Sequence, residues 1–280
     1  MSCSLPQEIL DLIIDLLCDE PATLKACCLA SKALIPRTQS YLFSHVEVNA
    51  RLTVGSWMDT FRDPSTSPAR HTHSLSIRGL PIAIATDGDV GEWIRTFHNV
   101  VHLNFEQLTL VHQEVPLTPF YGFSHTVRSL RLTSTSPEVF DLICSFPLLE
   151  DLALIYPRSR GAAAWWNAPS TSPKLTGTLE LSAVGGIHFA THRLLGFPDG
   201  LRFTKVTVSC KGEDSESLTD LVSRCSDTLE SLDICCSFTG AFPPASVIIQ
   251  YLTAACGRSR TPTSHRPLQG HETQRSDVSV

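Results

Sequence analysis

The feature that most constrains the fold of this chain is a short strand-like motif that recurs seven times. Each copy carries two apolar residues separated by one residue, which is polar in all copies except that of Leu152, as in HSLSIRG, where Ser76 separates Leu75 and Ile77. The copies centre on Leu75, Leu103, Leu130, Leu152, Leu179, Val206 and Leu232. Successive centres lie 28, 27, 22, 27, 27 and 26 residues apart. This period is typical of proteins that stack one strand per repeat, and about three repeats are enough for a stacked core.

Amphipathic helices are predicted between several of these strands. Apolar residues at helical spacing favour helices over Glu92–Phe97, Pro137–Phe146 and Ser217–Ser226, with a further one over Ala245–Cys256. A helix followed by a strand at this period predicts a curved stack, with parallel strands on the concave face and helices on the convex face. The predicted fold class is therefore α/β.

Two other parts of the chain read differently. Ser44–Val48 alternates like a strand, and a helix-like stretch follows around Trp57 and Phe61. The segment 155–178 has no amphipathic helix and contains Trp165-Trp166, which either forms an exposed binding edge or folds back over a gap in the stack.

The first 43 residues predict three short helices. Ile9, Leu10, Ile13, Leu16 and Leu17 follow helical spacing, with Ser4 as the expected N-cap. Asp19-Glu20 ends this helix, a second covers Pro21–Leu34, and a third runs from Pro36 to about Phe43. Three helices of this length cannot bury their apolar side chains among themselves, so they need the rest of the chain or another protein.

This region resembles an F-box, of the fungal pattern in which the box opens the chain and leucine-rich units follow. The resemblance lies in LPQEIL from Leu5 to Leu10, in LKACCL from Leu24 to Leu29, and in Lys32 and Pro36-Arg37. Leu34 departs from the pattern, since such boxes usually carry tryptophan there. The resemblance implies docking on a Skp-family adaptor of a Skp–cullin–F-box ubiquitin ligase. The implied contact residues are Leu5, Pro6, Ile9, Leu10, Ile13, Leu17, Leu24, Cys27, Leu29 and Leu34.

The strand motifs resemble leucine-rich repeats of fungal F-box proteins, most clearly in TGTLELS, GLRFTKVTVSC and SDTLESLDI. The predicted organisation is an F-box over residues 1–48, a linker with a first helix over 49–70, a leucine-rich-repeat-like domain over 71–256 and a disordered tail over 257–280. The tail has almost no apolar residues, and because no capping repeat is visible we expect a shortened form.

The strand residues that alternate with the two apolar positions are predicted to face outward. This row is either an ordinary solvated face or the surface that binds a target protein. The candidate target-facing residues are Arg78, His102, Asn104, Arg131, Asp151, Glu180, Lys205 and Asp233, with Ser76, Thr207 and Ser231 in the same row.

Composition and motifs argue against other functions. The net charge of −6 disfavours nucleic-acid binding, and no apolar stretch is long enough to span a membrane, so we expect a soluble cytoplasmic or nuclear protein. None of the ten cysteines forms a C-x-x-C pair, and no phosphate loop or nucleophile elbow is present. We expect no enzyme activity, metal or cofactor. The function is then a ligase substrate adaptor, or alternatively a leucine-rich scaffold with a degenerate box and no ligase role.

Overall fold

A parallel β-sheet dominates the protein. The computed structural model describes residues 5–49, 57, 59–61, 63, 67–78, 88–107, 118–133, 141–155, 173–182, 187–211, 215–237 and 273–279. The Trp165-Trp166 pair and the predicted helix Ala245–Cys256 lie outside these residues.

The sheet contains nine strands in chain order, and the first eight run parallel. The strands are β1 His45–Asn49, β2 Ser74–Arg78, β3 His102–Glu106, β4 Ser129–Thr133, β5 Asp151–Ile155, β6 Thr178–Ser182, β7 Lys205–Lys211, β8 Ser231–Ser237 and β9 Thr273–Ser279. All seven strand motifs are confirmed, as is the strand predicted at Ser44–Val48. The α/β class is confirmed with them.

The two apolar positions of each parallel strand form two continuous buried rows. The first row contains Val46, Leu75, Leu103, Leu130, Leu152, Leu179, Val206 and Leu232. The second contains Val48, Ile77, Phe105, Leu132, Leu154, Leu181, Val208 and Ile234. Every side chain in both rows is at most 7% exposed. Because strand side chains alternate between faces, a one-residue slip would move a whole row into solvent, and the rows therefore specify the register.

A repeated pair of backbone hydrogen bonds joins one strand to the next, at the point where the later strand begins. The Ser44 carbonyl accepts from the N–H groups of both His73 and Ser74, at 2.9 and 3.0 Å. The same double acceptance recurs at the carbonyls of His73, Val101, Arg128, Gly177 and Thr204. These bonds satisfy backbone donors at the point where the chain enters the sheet, where an unpaired buried N–H would be costly.

The connection from β5 to β6 departs from this pattern. The Glu150 carbonyl accepts only from Gly177 N–H, at 3.1 Å, and Thr178 N–H instead donates to the Asp151 carboxylate at 2.6 Å. Asp151, predicted to face a target, thus takes the place of a backbone carbonyl. Gly177 leaves room for this arrangement, because a Cβ there would collide with the Asp151 carboxylate and press on the Glu150 backbone.

In the part of the chain that the structure describes, four helices with defined bounds lie between the strands: α4 Gly88–Arg95, α5 Asp141–Cys144, α6 His188–Leu195 and α7 Ser215–Cys225. Residues 57, 59 and 60, in the predicted helix-like stretch, are also helical. Helices α4 and α7 correspond to predicted helices with shifted ends, and α5 lies within predicted Pro137–Phe146. The helix α6 was missed because His188, His192 and Arg193 interrupt its apolar spacing. Short 3₁₀ helices cover Pro68–His71 and Thr118–Phe123.

Five of the connections between strands carry a buried side chain at the end of their helical segment or just after it, and these side chains pack beneath the sheet. They are Phe97, Phe123, Phe146, Phe197 and Cys225, each at most 4% exposed. Burial raises the pKa of the Cys225 thiol to about 11, so this cysteine stays protonated and acts as a small apolar side chain.

A strand lies within the predicted tail. Thr273–Ser279 forms β9, which pairs antiparallel with all seven residues of β8. A strand can pair through its backbone without apolar side chains, so the polar composition of the tail did not reveal it.

Three helices precede the sheet: α1 Gln7–Asp15, α2 Pro21–Ala30 and α3 Ile35–Leu42, with a 3₁₀ turn at Lys32–Leu34. The second helix ends four residues before the predicted Leu34, because Ser31 is extended and its hydroxyl accepts from Ala33 N–H. The predicted domain 1–48 includes the first four residues of β1, which belongs to the sheet from His45. We call residues 5–43 the helical unit.

Aromatic rings connect the helical unit to the sheet. Phe43 meets Trp57 edge-on at 6.4 Å, and Trp57 lies 5.8 Å from Phe97. Phe97 in turn meets the buried Trp93 edge-on at 5.0 Å. This series of contacts joins the end of α3 to the core beneath α4, so the helical unit is supported from one side by the sheet domain.

Replacing Gly177 with alanine should lower the free energy of unfolding by about 1–3 kcal/mol, because the new methyl displaces Asp151 from Thr178 N–H. The matched control is Gly91→Ala, where a Cβ meets nothing within 4 Å on helix α4. That substitution should raise stability by about 0.5–1 kcal/mol. Urea titrations of both variants give the comparison. Equal effects of the two substitutions would contradict the assigned role of Gly177.

Candidate protein-interaction surfaces

Exposed apolar side chains are concentrated on the helical unit. Within the described part of the chain, eight large apolar side chains are strongly exposed, and six of them fall between residues 5 and 29. These six are Leu5 at 57%, Ile9 at 43%, Leu12 at 59%, Ile13 at 43%, Leu16 at 87% and Leu29 at 90%. We call this set the apolar patch.

The cause is that α1 is apolar on two opposite sides. Ile14 is 1% exposed and lies toward the interior of the unit, with Leu10 and Leu17 partly buried on the same side. At 100° per residue, Ile9, Leu12 and Leu16 fall on the side opposite Ile14, and Leu5 lies just before the helix. A helix that is apolar all round normally has protein on both sides, and here only one side is covered.

An ion-pair network holds α1 in this orientation. Arg37 on α3 donates two parallel hydrogen bonds to the Asp15 carboxylate, at 2.6 and 2.8 Å, and Tyr41 O–H donates to it at 2.9 Å. The Arg37 guanidinium also lies 5.2 Å from the centre of the Tyr41 ring. The fork geometry fixes both the position and the direction of the carboxylate.

The ionisable groups of this network shift one another's pKa values. The hydrogen bond and charge of Arg37 hold the pKa of Asp15 below its ordinary value, although partial burial opposes the shift. The pKa of Arg37 is raised by the same contact, and that of Tyr41 is raised chiefly by its hydrogen bond to Asp15. Asp15 is therefore an anion at neutral pH, and its carboxylate is hydrogen-bonded within the helical unit.

A second contact fixes the beginning of α1. The Gln7 side-chain amide donates to Asp11 at 2.8 Å and to the carbonyl of Ala33 at 3.1 Å. The polar residues Gln7, Asp11 and Asp15 all serve internal contacts. The outward side of α1 is left mainly to leucine and isoleucine.

The structure divides the ten predicted adaptor contacts into three groups. Exposed are Leu5, Pro6, Ile9, Ile13 and Leu29; partly buried are Leu10, Leu17, Cys27 and Leu34. Leu24 is 1% exposed, so its assignment as a surface contact is corrected: it fills the interior of the unit with Ile14 and Thr38. Two patch residues, Leu12 and Leu16, were missing from the predicted set. A helical projection centred on Ile14 would have found them.

The outward face of the sheet carries paired charges. Arg131 on β4 reaches Glu180 on β6 at 2.9 Å, across the small side chain of Ala153 on β5. Arg78 on β2 meets Glu106 on β3 at 3.3 Å. These ion pairs are partly exposed, where each contributes little to stability, and they leave a mixed-sign surface.

Predicted target-facing residues differ in their accessibility. His102 and Lys205 are exposed, while Asn104 and Asp233 are partly buried. Ser76 is only 8% exposed, because it is covered by neighbours on its own face of the sheet, and it accepts a 3.3 Å hydrogen bond from the Asn104 side-chain amide. Among the described residues, the side-chain amide oxygen of Asn104 is buried and has no hydrogen-bond partner. Asp151 is held by Thr178 N–H, as described above.

Within the described residues no group of three or more histidine, cysteine or acidic side chains is placed to hold a metal ion. The same residues include no helix that is both long and apolar enough to cross a membrane. Burial raises the pKa of the Cys28 thiol, which keeps it in its protonated, weakly nucleophilic form.

Comparisons of the chain with protein-family models, with curated proteins and with solved structures found no match. The function proposed below therefore depends on the chemistry of the apolar patch and of the outward face of the sheet, and on the resemblance of the motifs.

Replacing Asp15 with asparagine should loosen α1. Because the pKa of Asp15 is lowered by folding, its contribution to stability is complete above its ordinary value of 3.8 and is lost as pH falls through the lower folded value. Amide hydrogen exchange should show α1 less protected in the variant at about pH 6, with the difference shrinking below about pH 4. The amides of α7 provide an internal control.

Arg37→Lys is the matched variant, because it keeps the charge and removes the two-bond fork. Its effect on α1 protection should lie between wild type and Asp15→Asn. Equal α1 protection in all three proteins at about pH 6 would show that the network does not hold the helix.

Proposed function

We propose that this chain is a non-catalytic substrate adaptor of a ubiquitin ligase. Its helical unit would bind a Skp-family protein within a Skp–cullin–F-box complex, and its sheet domain would bind a target protein. The observation that carries the proposal is the apolar patch, which holds six of the eight strongly exposed large apolar side chains in the described part of the chain.

The apolar patch has the chemistry of a protein interface. Fully burying one leucine or isoleucine side chain contributes about 1.5–3 kcal/mol, so several together can form the central cluster of a docking site. Clusters of exposed apolar side chains of this size are uncommon on monomers and mark interaction sites. Leu16 and Leu29 are the two most exposed members and the strongest candidates for central contacts.

The partner is assigned from the resemblance of the box motif. Leu5, Pro6 and Ile9, which open the motif, are all exposed and available to another protein. Three helices also occur over the residues where the box was predicted. A parallel sheet with its strands in chain order agrees with leucine-rich units behind the box.

In this proposal the chain performs no bond chemistry. It would hold a target close to a charged ubiquitin-conjugating enzyme and raise the effective concentration of the reacting groups. The mixed-sign outward face around Arg131 and Glu180 would supply part of the target contact, where paired charges contribute to specificity more than to affinity.

A second candidate is a leucine-rich scaffold that no longer docks on a ligase. Leu34 favours it: this residue stands where the box pattern has tryptophan, it is only partly buried, and its carbonyl accepts from Thr38 at 2.6 Å. A leucine offers less contact area than tryptophan, so the adaptor interface would be weakened at this point.

Leu16→Asp and Leu29→Asp should each reduce binding to a purified Skp-family protein by at least about tenfold, because each places a charge in an apolar interface. Both side chains are largely exposed already, so the free energy of unfolding should change by no more than about 0.5 kcal/mol. The matched control is Leu148→Asp, an apolar residue 41% exposed in the sheet domain, which should leave binding unchanged. Pull-down and calorimetric titration measure the affinities.

The two candidates give opposite results in the same experiment. Binding by the wild-type chain that is lost in Leu16→Asp and in the double variant Leu5→Ala with Pro6→Ala supports the adaptor. A well-folded wild-type chain that does not bind the Skp-family protein contradicts the adaptor and supports the scaffold.

A further inference from the structure

The free edge of the last parallel strand, β8, is covered by the chain itself. Strand β9 pairs antiparallel with β8 along its whole length, from Ser231 opposite Ser279 to Ser237 opposite Thr273. An edge strand presents a row of backbone N–H and C=O groups that can pair with any extended segment. The β8 edge therefore accepts an antiparallel strand in this register.

The register of β9 matches the core rows poorly. Directly opposite residues of an antiparallel pair belong to the same face of the sheet. At the positions that continue the two buried rows, Leu232 is opposite Val278 but Ile234 is opposite Ser276. The next position on this face of β8, Cys236, is opposite Gln274. Of the three β9 positions that continue this buried face, only one therefore carries an apolar residue. The parallel strands carry leucine, isoleucine, valine, phenylalanine or cysteine at the corresponding positions.

One directly opposite pair on the other face is also unfavourable to β9, although Arg275, opposite Cys235, places a basic residue diagonal to Asp233 on the same face. The register places Asp277 directly opposite Asp233. Like charges at opposite positions of a strand pair destabilise the pairing. Glu230, which immediately precedes β8, is exposed and adds negative charge near this edge. A basic residue at the position of Asp277 would pair more favourably with this negatively charged edge of β8.

We propose that the β8 edge is a strand-addition site for an extended segment of a target protein, and that β9 occupies it as a displaceable substitute. The target segment would run antiparallel to β8. It would carry apolar residues at the positions of Ser276 and Gln274 and lysine or arginine at the position of Asp277. Backbone hydrogen bonds would supply affinity, and the alternating side chains would supply specificity.

This inference does not depend on the ligase adaptor. It concerns the opposite end of the chain from the apolar patch and holds equally for a scaffold. Failure of Skp-family binding would leave it intact.

The experiment uses the full chain and a labelled synthetic peptide with the sequence of Thr273–Ser279 altered by Gln274→Val, Ser276→Ile and Asp277→Lys. Three improved cross-strand pairs should make this peptide bind about tenfold more tightly than the unaltered tail peptide, as measured by fluorescence anisotropy. A peptide of the same composition with its three apolar residues consecutive is the control, since it cannot place them on one face.

Two variants of the full chain should shift peptide binding in opposite directions. Ser276→Pro with Asp277→Pro removes backbone donors from β9, so the peptide should bind more tightly than to wild type. Asp277→Lys should strengthen the internal strand and weaken peptide binding. Hydrogen exchange should show that the amides of Ser231–Ser237 lose protection in the proline variant and regain it with peptide.

Equal binding of the altered and composition-matched peptides would overturn the proposal. So would a peptide affinity that is the same in both chain variants, or binding that leaves the β8 amides unprotected. Dimerisation of the proline variant without peptide binding would assign the edge to a second copy of the chain and would also overturn it.

Discussion

Each parallel strand is tied to the preceding unit where it enters the sheet, through a backbone carbonyl that in six cases accepts two consecutive N–H groups. This contact sets the register of the next strand, and the register decides which residues are buried. The two apolar rows then lie beneath the sheet, and the alternate residues form the outward face. Where the pattern changes, at β5 to β6, Asp151 replaces the carbonyl and a glycine at 177 makes room. A residue that alternation assigns to partner binding is thereby used to complete the sheet.

The helical unit depends on the sheet at one end and leaves its other side uncovered. The aromatic series from Phe43 through Trp57 to Phe97 supports α3, and the Asp15–Arg37 pair holds α1 against α3. Together with the hydrogen bonds of Gln7, these contacts leave Ile14 buried and engage Gln7, Asp11 and Asp15 within the unit. The apolar patch on the opposite side is therefore a consequence of how the unit is assembled, and it gives the unit its capacity to bind a protein.

The two proposed interaction sites have a common physical origin. Each is a surface where a repeating or amphipathic element has one face covered by the fold and another left to a partner. On α1 the uncovered groups are apolar side chains, which favour a stable protein interface. At β8 they are backbone hydrogen-bonding groups, which the chain covers with a strand of polar composition. The apolar patch favours a partner that buries its apolar area, whereas the β8 edge selects a partner segment with a particular alternation of side chains.

The sequence by itself determined the α/β class, the eight parallel strands and the three short N-terminal helices. Alternation within a period of 22–28 residues specifies both the position and the buried face of each strand, because these are local properties of the chain. Only the tertiary structure decided that Leu24 and Ser76 are buried and that Asp151 bonds to Thr178. It also decided that the polar tail forms β9. Those outcomes depend on contacts between residues distant in sequence and on backbone pairing, which apolar periodicity does not encode.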